Sequence, residues 1–209
     1  MPKVGIGPVR RMQVFRAATE VIARETFGGT TIKKVADAAG LSTGTVNYYF
    51  TNKRAMLMET LSHISAEWSQ DLRRAVEESE PGEPRIRVLI EATGPTTTLN
   101  RLRWRVWTAA WSESLHAPEL RTVLWRSYKT WLQVLSEMFG LINKDLGGPA
   151  IDLAKTARVY DALQNGLFLQ ILISDTRLDE ETAAVLQSYL ENSLGPAAQP
   201  SRVPAGEVG

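Results

Sequence analysis

Apolar residues recur along this chain at three- and four-residue steps, and clusters of Gly, Pro and Asp cut that recurrence into segments of helical length. Val14, Ala17, Ala18, Val21 and Ile22 form one stripe of a helix predicted over Arg10–Glu25, which closes on Gly28-Gly29. Thr31 is placed to cap a second helix, Ile32–Ala39, whose Ile32, Val35, Ala36 and Ala39 share a face and which Gly40 stops. Ser42 caps a short third helix, Thr43–Tyr49. A long fourth, Lys53–Glu78, carries Met56, Leu57, Leu61, Ile64, Trp68 and Leu72 along one side and ends at Glu80-Pro81-Gly82. Further helices are predicted at Arg85–Thr93, Thr98–Ser114, Pro118–Ile142, Ala150–Ser174 and Glu180–Leu194. Gly94-Pro95, His116-Ala117-Pro118, Gly147-Gly148-Pro149 and the stretch 175–178 separate them. With no run of strands and no repeat of fixed period, the pattern predicts an all-α chain. It divides into a three-helix head over residues 1–52, a helical body over 53–194 and a Pro-, Ala- and Gly-rich tail over 195–209 that is expected to be disordered.

Composition adds two constraints. The chain has no Cys, which excludes disulfides, thiolate zinc sites and thiol catalysis and suits a reducing compartment. Met1–Arg10 is too short in apolar length for a signal peptide, and runs such as Leu167–Ile173 fall far short of a membrane span, so a cytoplasmic protein with no membrane partner is expected. The net charge of +1 hides an asymmetry: residues 1–60 hold nine Lys or Arg against four Asp or Glu, and the remainder fifteen against nineteen. A basic head on a slightly acidic body suits a phosphate-rich partner.

The link Gly40-Leu41-Ser42 between the second and third helices has the length of a helix-turn-helix turn. The third helix is polar for a core element. Thr43, Thr45, Asn47, Tyr48 and Tyr49 all carry hydrogen-bonding groups, leaving Val46 and Phe50 as anchors. In a major groove, Thr43, Gly44 and Asn47 are placed to read or closely approach base edges, with Lys33, Thr45, Tyr48, Tyr49 and Lys53 on the phosphates. In an arbitrary protein these would be an ordinary solvated face.

The run from Thr30 to Phe50, followed by Asn52-Lys53, resembles the DNA-binding signature of the TetR family of bacterial regulators through its Ala-Gly-Leu-Ser and Tyr-Tyr-Phe elements. Met1-Pro2-Lys3, Arg10-Arg11, the Trp-Ser-Glu-Ser-Leu-His-Ala-Pro stretch at 111–118 and Asn165-Gly166-Leu167 are similar to the BetI-like branch, which includes a choline-responsive repressor. An Asp often stands where this chain has Asn165. The resemblance implies an all-helical homodimer on double-stranded, partly palindromic operator DNA, acting as a repressor that a small-molecule effector in the body releases.

Trp104, Trp107 and Trp111 share one helix face, with Trp68, Trp125, Trp131, Tyr128 and Phe168 on neighbouring predicted helices. These rings are either plain core or the lining of a cavity for a cationic or apolar effector. A cation would be drawn by cation–π attraction, with Glu113 or Asp161 as counter-charge and Asn165 nearby. Gly166 inside an apolar helix is either merely tolerated there or marks close helix approach at a dimer seam, completed by Leu186, Leu190 and Leu194. Two other classes compete. An enzyme is disfavoured by the lack of Cys, of a phosphate loop, of a metal-ligand cluster and of partners for His63 and His116, so neither a cofactor nor catalysis is expected. A non-specific architectural DNA protein leaves the large apolar body unexplained.

Overall fold

The computed structural model describes residues 6–196. Among them nine helices follow one another without a strand: α1 (Ile6–Gly29), α2 (Ile32–Ala39), α3 (Thr43–Tyr49), α4 (Lys53–Glu78), α5 (Glu83–Thr93), α6 (Thr98–Ser114), α7 (Pro118–Asp145), α8 (Leu153–Ser174) and α9 (Glu180–Leu194). The expected disordered tail lies, from residue 197 on, outside the described residues.

Local chemistry explains most of the boundaries. Thr31, Ser42, Asn52, Thr97, Asp152 and Asp179 each accept, through the side chain, a backbone N–H in the first turn of the helix they precede. Gly40, at φ 62°, ends α2 in the left-handed conformation and donates back to Asp37. One expectation is corrected. α1 begins at Ile6 rather than Arg10, since Pro8 in a first turn removes no needed hydrogen bond. Its expected end at Glu25 is met by a break at Thr26, where φ 63° and ψ 178° lie outside helical geometry; the backbone then resumes helical form to Gly29.

Two apolar clusters organise the chain. The first joins Val14, Ala18, Val21 and Ile22 of α1 to Val35 and Ala36 of α2, Val46 of α3 and Phe50. It continues past the head into Met56 and Leu61 of α4, Val106 and Ala110 of α6, and Leu120 and Leu124 of α7. The head is thus seated on the body through the α1–α6 contact. The second fills the body with Leu72, Leu89, Phe139, Tyr160 and Phe168, closed by α9 packing on α5 and α8. Leu186, Leu190 and Leu194 are fully buried in this second cluster, which corrects their assignment to a dimer seam: their side chains are spent on the protomer's own core. No helix among the described residues is long and apolar enough to cross a membrane.

Candidate DNA-reading helix and body cavity

The head presents its third helix outward. Val46 is fully buried and Phe50 almost so, while Thr43, Gly44, Asn47 and Tyr48 are exposed, Tyr48 by 82%. Leu41 donates its N–H to Ala36 O at 2.9 Å, and Gln13 Nε2 donates to Ala39 O at 2.6 Å, fixing α2 on α1 and with it the angle of α3. Thr45 is half-buried, its hydroxyl 2.9 Å from that of Ser42, so it braces the cap rather than standing free. Tyr49 is half-buried and edge-on to Tyr48, with ring centres 5.1 Å apart. Lys33 lies on the outer face of α2 in an ion pair with Asp37 at 3.0 Å. Lys53 donates to Gly28 O at 3.1 Å, and Lys34 to Gly29 O at 3.0 Å, so two lysines hold the last carbonyls of α1.

The body contains a cavity of about 520 Å³. All six tryptophans of the chain line it: Trp68 from α4, Trp104, Trp107 and Trp111 from α6, and Trp125 and Trp131 from α7. Their positions are fixed by hydrogen bonds as well as by packing. Trp68 Nε1 donates to Ala92 O at 2.9 Å, Trp104 Nε1 to Thr93 O at 2.8 Å, and Trp131 Nε1 to Asp161 Oδ1 at 2.9 Å. The rings of Trp104 and Trp131 lie 5.8 and 5.5 Å from that of Trp68. Tyr128 and Asn165 also line the cavity.

Two residues expected there are elsewhere. Phe168 is fully buried behind Trp104, ring centres 5.5 Å apart, and supports the wall without forming it. Glu113, at the far end of α6, turns toward a separate recess of about 440 Å³ between head and body, beside Lys53, Arg54 and Glu119. The Arg54–Glu119 ion pair spans that recess at 2.5 Å.

The acidic group in the cavity is Asp161. Burial pushes its carboxyl above the ordinary aspartate range, opposed by donated hydrogen bonds from Gln164, Trp131 and Asn165. Gln164 Nε2 donates to Oδ1 at 3.1 Å and Asn165 Nδ2 to Oδ2 at 2.9 Å. Gln164 Oε1 is buried with no donor among the described residues. Gln164 and Arg121, both cavity residues, escaped the sequence reading. The available signal was spacing, since 161, 164 and 165 share a face of α8 and 121, 124, 125, 128 and 131 share one of α7.

A basic helix-turn-helix head joined through a continuous core to a helical body with an aromatic cavity defines a DNA-binding regulator. Residues 14–60 match the model for bacterial regulatory proteins of the tetR family, and 82–195 that for the BetI-type transcriptional repressor C-terminal domain. The chain is 30% identical over 200 residues to the HTH-type transcriptional regulator BetI of Paraburkholderia phymatum, covering 95% of this chain and 100% of that one. A Burkholderia mallei protein of the same name is also 30% identical, over 94% of this chain and 99% of its own. Among solved structures, a TetR-family regulator from Rhodococcus sp. superposes with TM-score 0.76 at 20% identity, over 89% and 98% of the two chains. A Saccharomonospora viridis transcriptional regulator, crystallised with choline, gives 0.70 at 24%, over 87% and 93%. The chain belongs to the TetR family of bacterial transcriptional regulators, with a BetI-type C-terminal domain.

Proposed function

We propose that the protein is a repressor that binds a partly palindromic operator as a homodimer and is released when an organic cation occupies the body cavity. The observation that carries this reading is the shared use of α6: Val106 and Ala110 on one side pack into the cluster that seats the head, while Trp104, Trp107 and Trp111 line the cavity. A ligand that moves α6 therefore moves the head. Release requires tighter binding to the released form than to the DNA-bound one. Asp161 among indole rings suits a positive charge, and a solved relative of the same fold carries choline.

In this reading Thr43, Gly44 and Asn47 meet base edges, and Lys33, Tyr48, Tyr49 and Lys53 meet phosphates, with Thr45 supporting them. The dimer seam uses the outer face of α8, where Val159, Gly166 and Ile173 follow at seven-residue spacing with Val159 and Ile173 exposed. A Cβ added at Gly166 would meet no atom of its own protomer within 4 Å, leaving room for a second copy.

The test is fluorescence anisotropy with labelled DNA from the region upstream of the protein's own coding sequence, at several salt concentrations. Saturable binding to that DNA in preference to scrambled DNA, weakened by a cationic ligand, supports the reading. Equal affinity for scrambled DNA makes the protein a non-specific binder and overturns it.

A further inference from the structure

Taking the cavity as the effector site, we infer that its organic cation is one end of a long dipolar ion, with an apolar middle along the indoles and a carboxylate or similar anion at the outer end against Arg121. Three features of the cavity carry this.

The first is a separated pair of charges. Of the residues that line the cavity, Asp161 alone carries a carboxyl group and Arg121 alone a cationic side chain. Asp161 is 3% exposed and accepts from Trp131. Arg121 is exposed and stands ten residues before Trp131 on α7, about 15 Å along the helix axis. Neither charge is answered from within the protein. Asp161 accepts from the neutral groups of Trp131, Gln164 and Asn165. Arg121 donates to Ser114 O at 3.5 Å, and no carboxylate pairs with it among the described residues. The acidic residues nearest it in sequence are placed elsewhere: Glu119 pairs with Arg54, and Glu113 lines the separate recess. In a site walled off from water such charges act through space, without direct contact. A ligand charged only at one end is drawn to one of them and repelled by the other.

The second is the form of the aromatic wall. Trp131, Trp68, Trp104 and Trp111 follow one another with ring centres 5.5, 5.8 and 6.2 Å apart, the last two pairs edge to face. Those are distances of rings in contact with each other. The four indoles therefore make a continuous strip rather than a cage about one point. A strip suits an extended apolar segment.

The third is direction and size. Trp68 and Trp104 are buried with Asp161, whereas Trp111 and Trp125 are exposed, Trp125 by 59%. The strip thus runs from the carboxylate outward, and Arg121 stands with the exposed rings at its outer end. Arg121 also lies at the end of the first turn of α7, whose N-terminal amides add to the positive potential there. A cavity of about 520 Å³ over that length has room for a ligand of drug-like size.

The experiment is calorimetric titration of the full chain with 11-aminoundecanoate, its methyl ester, undecanoate, 4-aminobutanoate and choline, alongside DNA binding by the same preparation. The first compound, when extended, is long enough to reach from Trp131 to Arg121. It is expected to bind at least about tenfold tighter than each of the other four, the factor for one charge-assisted hydrogen bond. Arg121→Met should erase the gap between acid and ester, and its binding of the ester shows that the variant is folded. The ester, 4-aminobutanoate or choline binding as tightly as the long dipolar ion overturns the inference, and so does a gap that survives in Arg121→Met. Undecanoate binding tightest overturns both the inference and the cationic reading of the cavity. DNA binding with uptake of none of the five overturns the inference and leaves the regulator reading intact. Uptake of the dipolar ion that never alters DNA affinity leaves the inference standing and overturns effector release.

Discussion

The indole N–H of Trp131 reaches Asp161 Oδ1 across 2.9 Å and so ties α7 to α8 in the wall of the cavity. Asp161 is held by three neutral donors, with no ion-pair partner among the described residues. Burial raises its pKa above the ordinary aspartate value of 3.8. The native state therefore holds this proton more tightly than the unfolded chain does. As pH climbs from that ordinary value through the raised one, Asp161 lowers stability, and its contribution levels off above. The melting temperature of Asp161→Asn, followed from about pH 4 to pH 7, should fall less steeply with rising pH than that of the wild type.

Asn47 and Lys33 should separate in their effects on DNA. Asn47→Ala is expected to cost about 1–3 kcal/mol on the preferred operator and much less on altered sequences. Lys33→Ala should weaken binding to all sequences and reduce the logarithmic salt slope by about one. Anisotropy titrations over a salt series on matched and mismatched operators would register both.

Leu190→Ala distinguishes a core role from a seam role. Because Leu190 is fully buried within the protomer, the substitution should destabilise folding by about 2–5 kcal/mol. Urea unfolding combined with sedimentation measures it. A folded, undiminished monomer would place this residue at the seam after all.

Thr26 carries a β-branched side chain at φ 63°, where such residues are strained. Thr26→Gly should stabilise the protein by about 1 kcal/mol after the greater flexibility of glycine in the unfolded chain is counted. For a chain of this length that is a rise in Tm of about 2–4 °C, readable by calorimetry.

Arg54 and Glu119 join the start of α4 to the start of α7. Both are substantially exposed, so Glu119→Ala should change stability by less than about 1 kcal/mol. It should nonetheless reduce the effect of a cavity ligand on DNA affinity by about 0.5–2 kcal/mol, measured as the ratio of operator affinities with and without ligand.

Boundaries were the most legible part of this fold, because Thr31, Ser42 and Gly40 act on neighbours three or four residues away and need no tertiary context. The strained break at Thr26 was not legible, since nothing in its side chain asks for a positive φ. Leu186, Leu190 and Leu194 show a different limit. A stripe of leucines announces that a face is buried, yet the partner that buries it is decided by where α5 and α8 fall. The aromatic lining was visible as a spacing on α6. Gln164 was invisible for the opposite reason: a single amide on a helix means little until folding closes its second atom off from solvent.

Every tryptophan in the molecule lines the same cavity, and the head has none. The intrinsic ultraviolet emission of the protein is thus a private optical channel from that space. Occupancy of the cavity can be watched in unlabelled protein, at wavelengths where an operator bound at the distant head is dark.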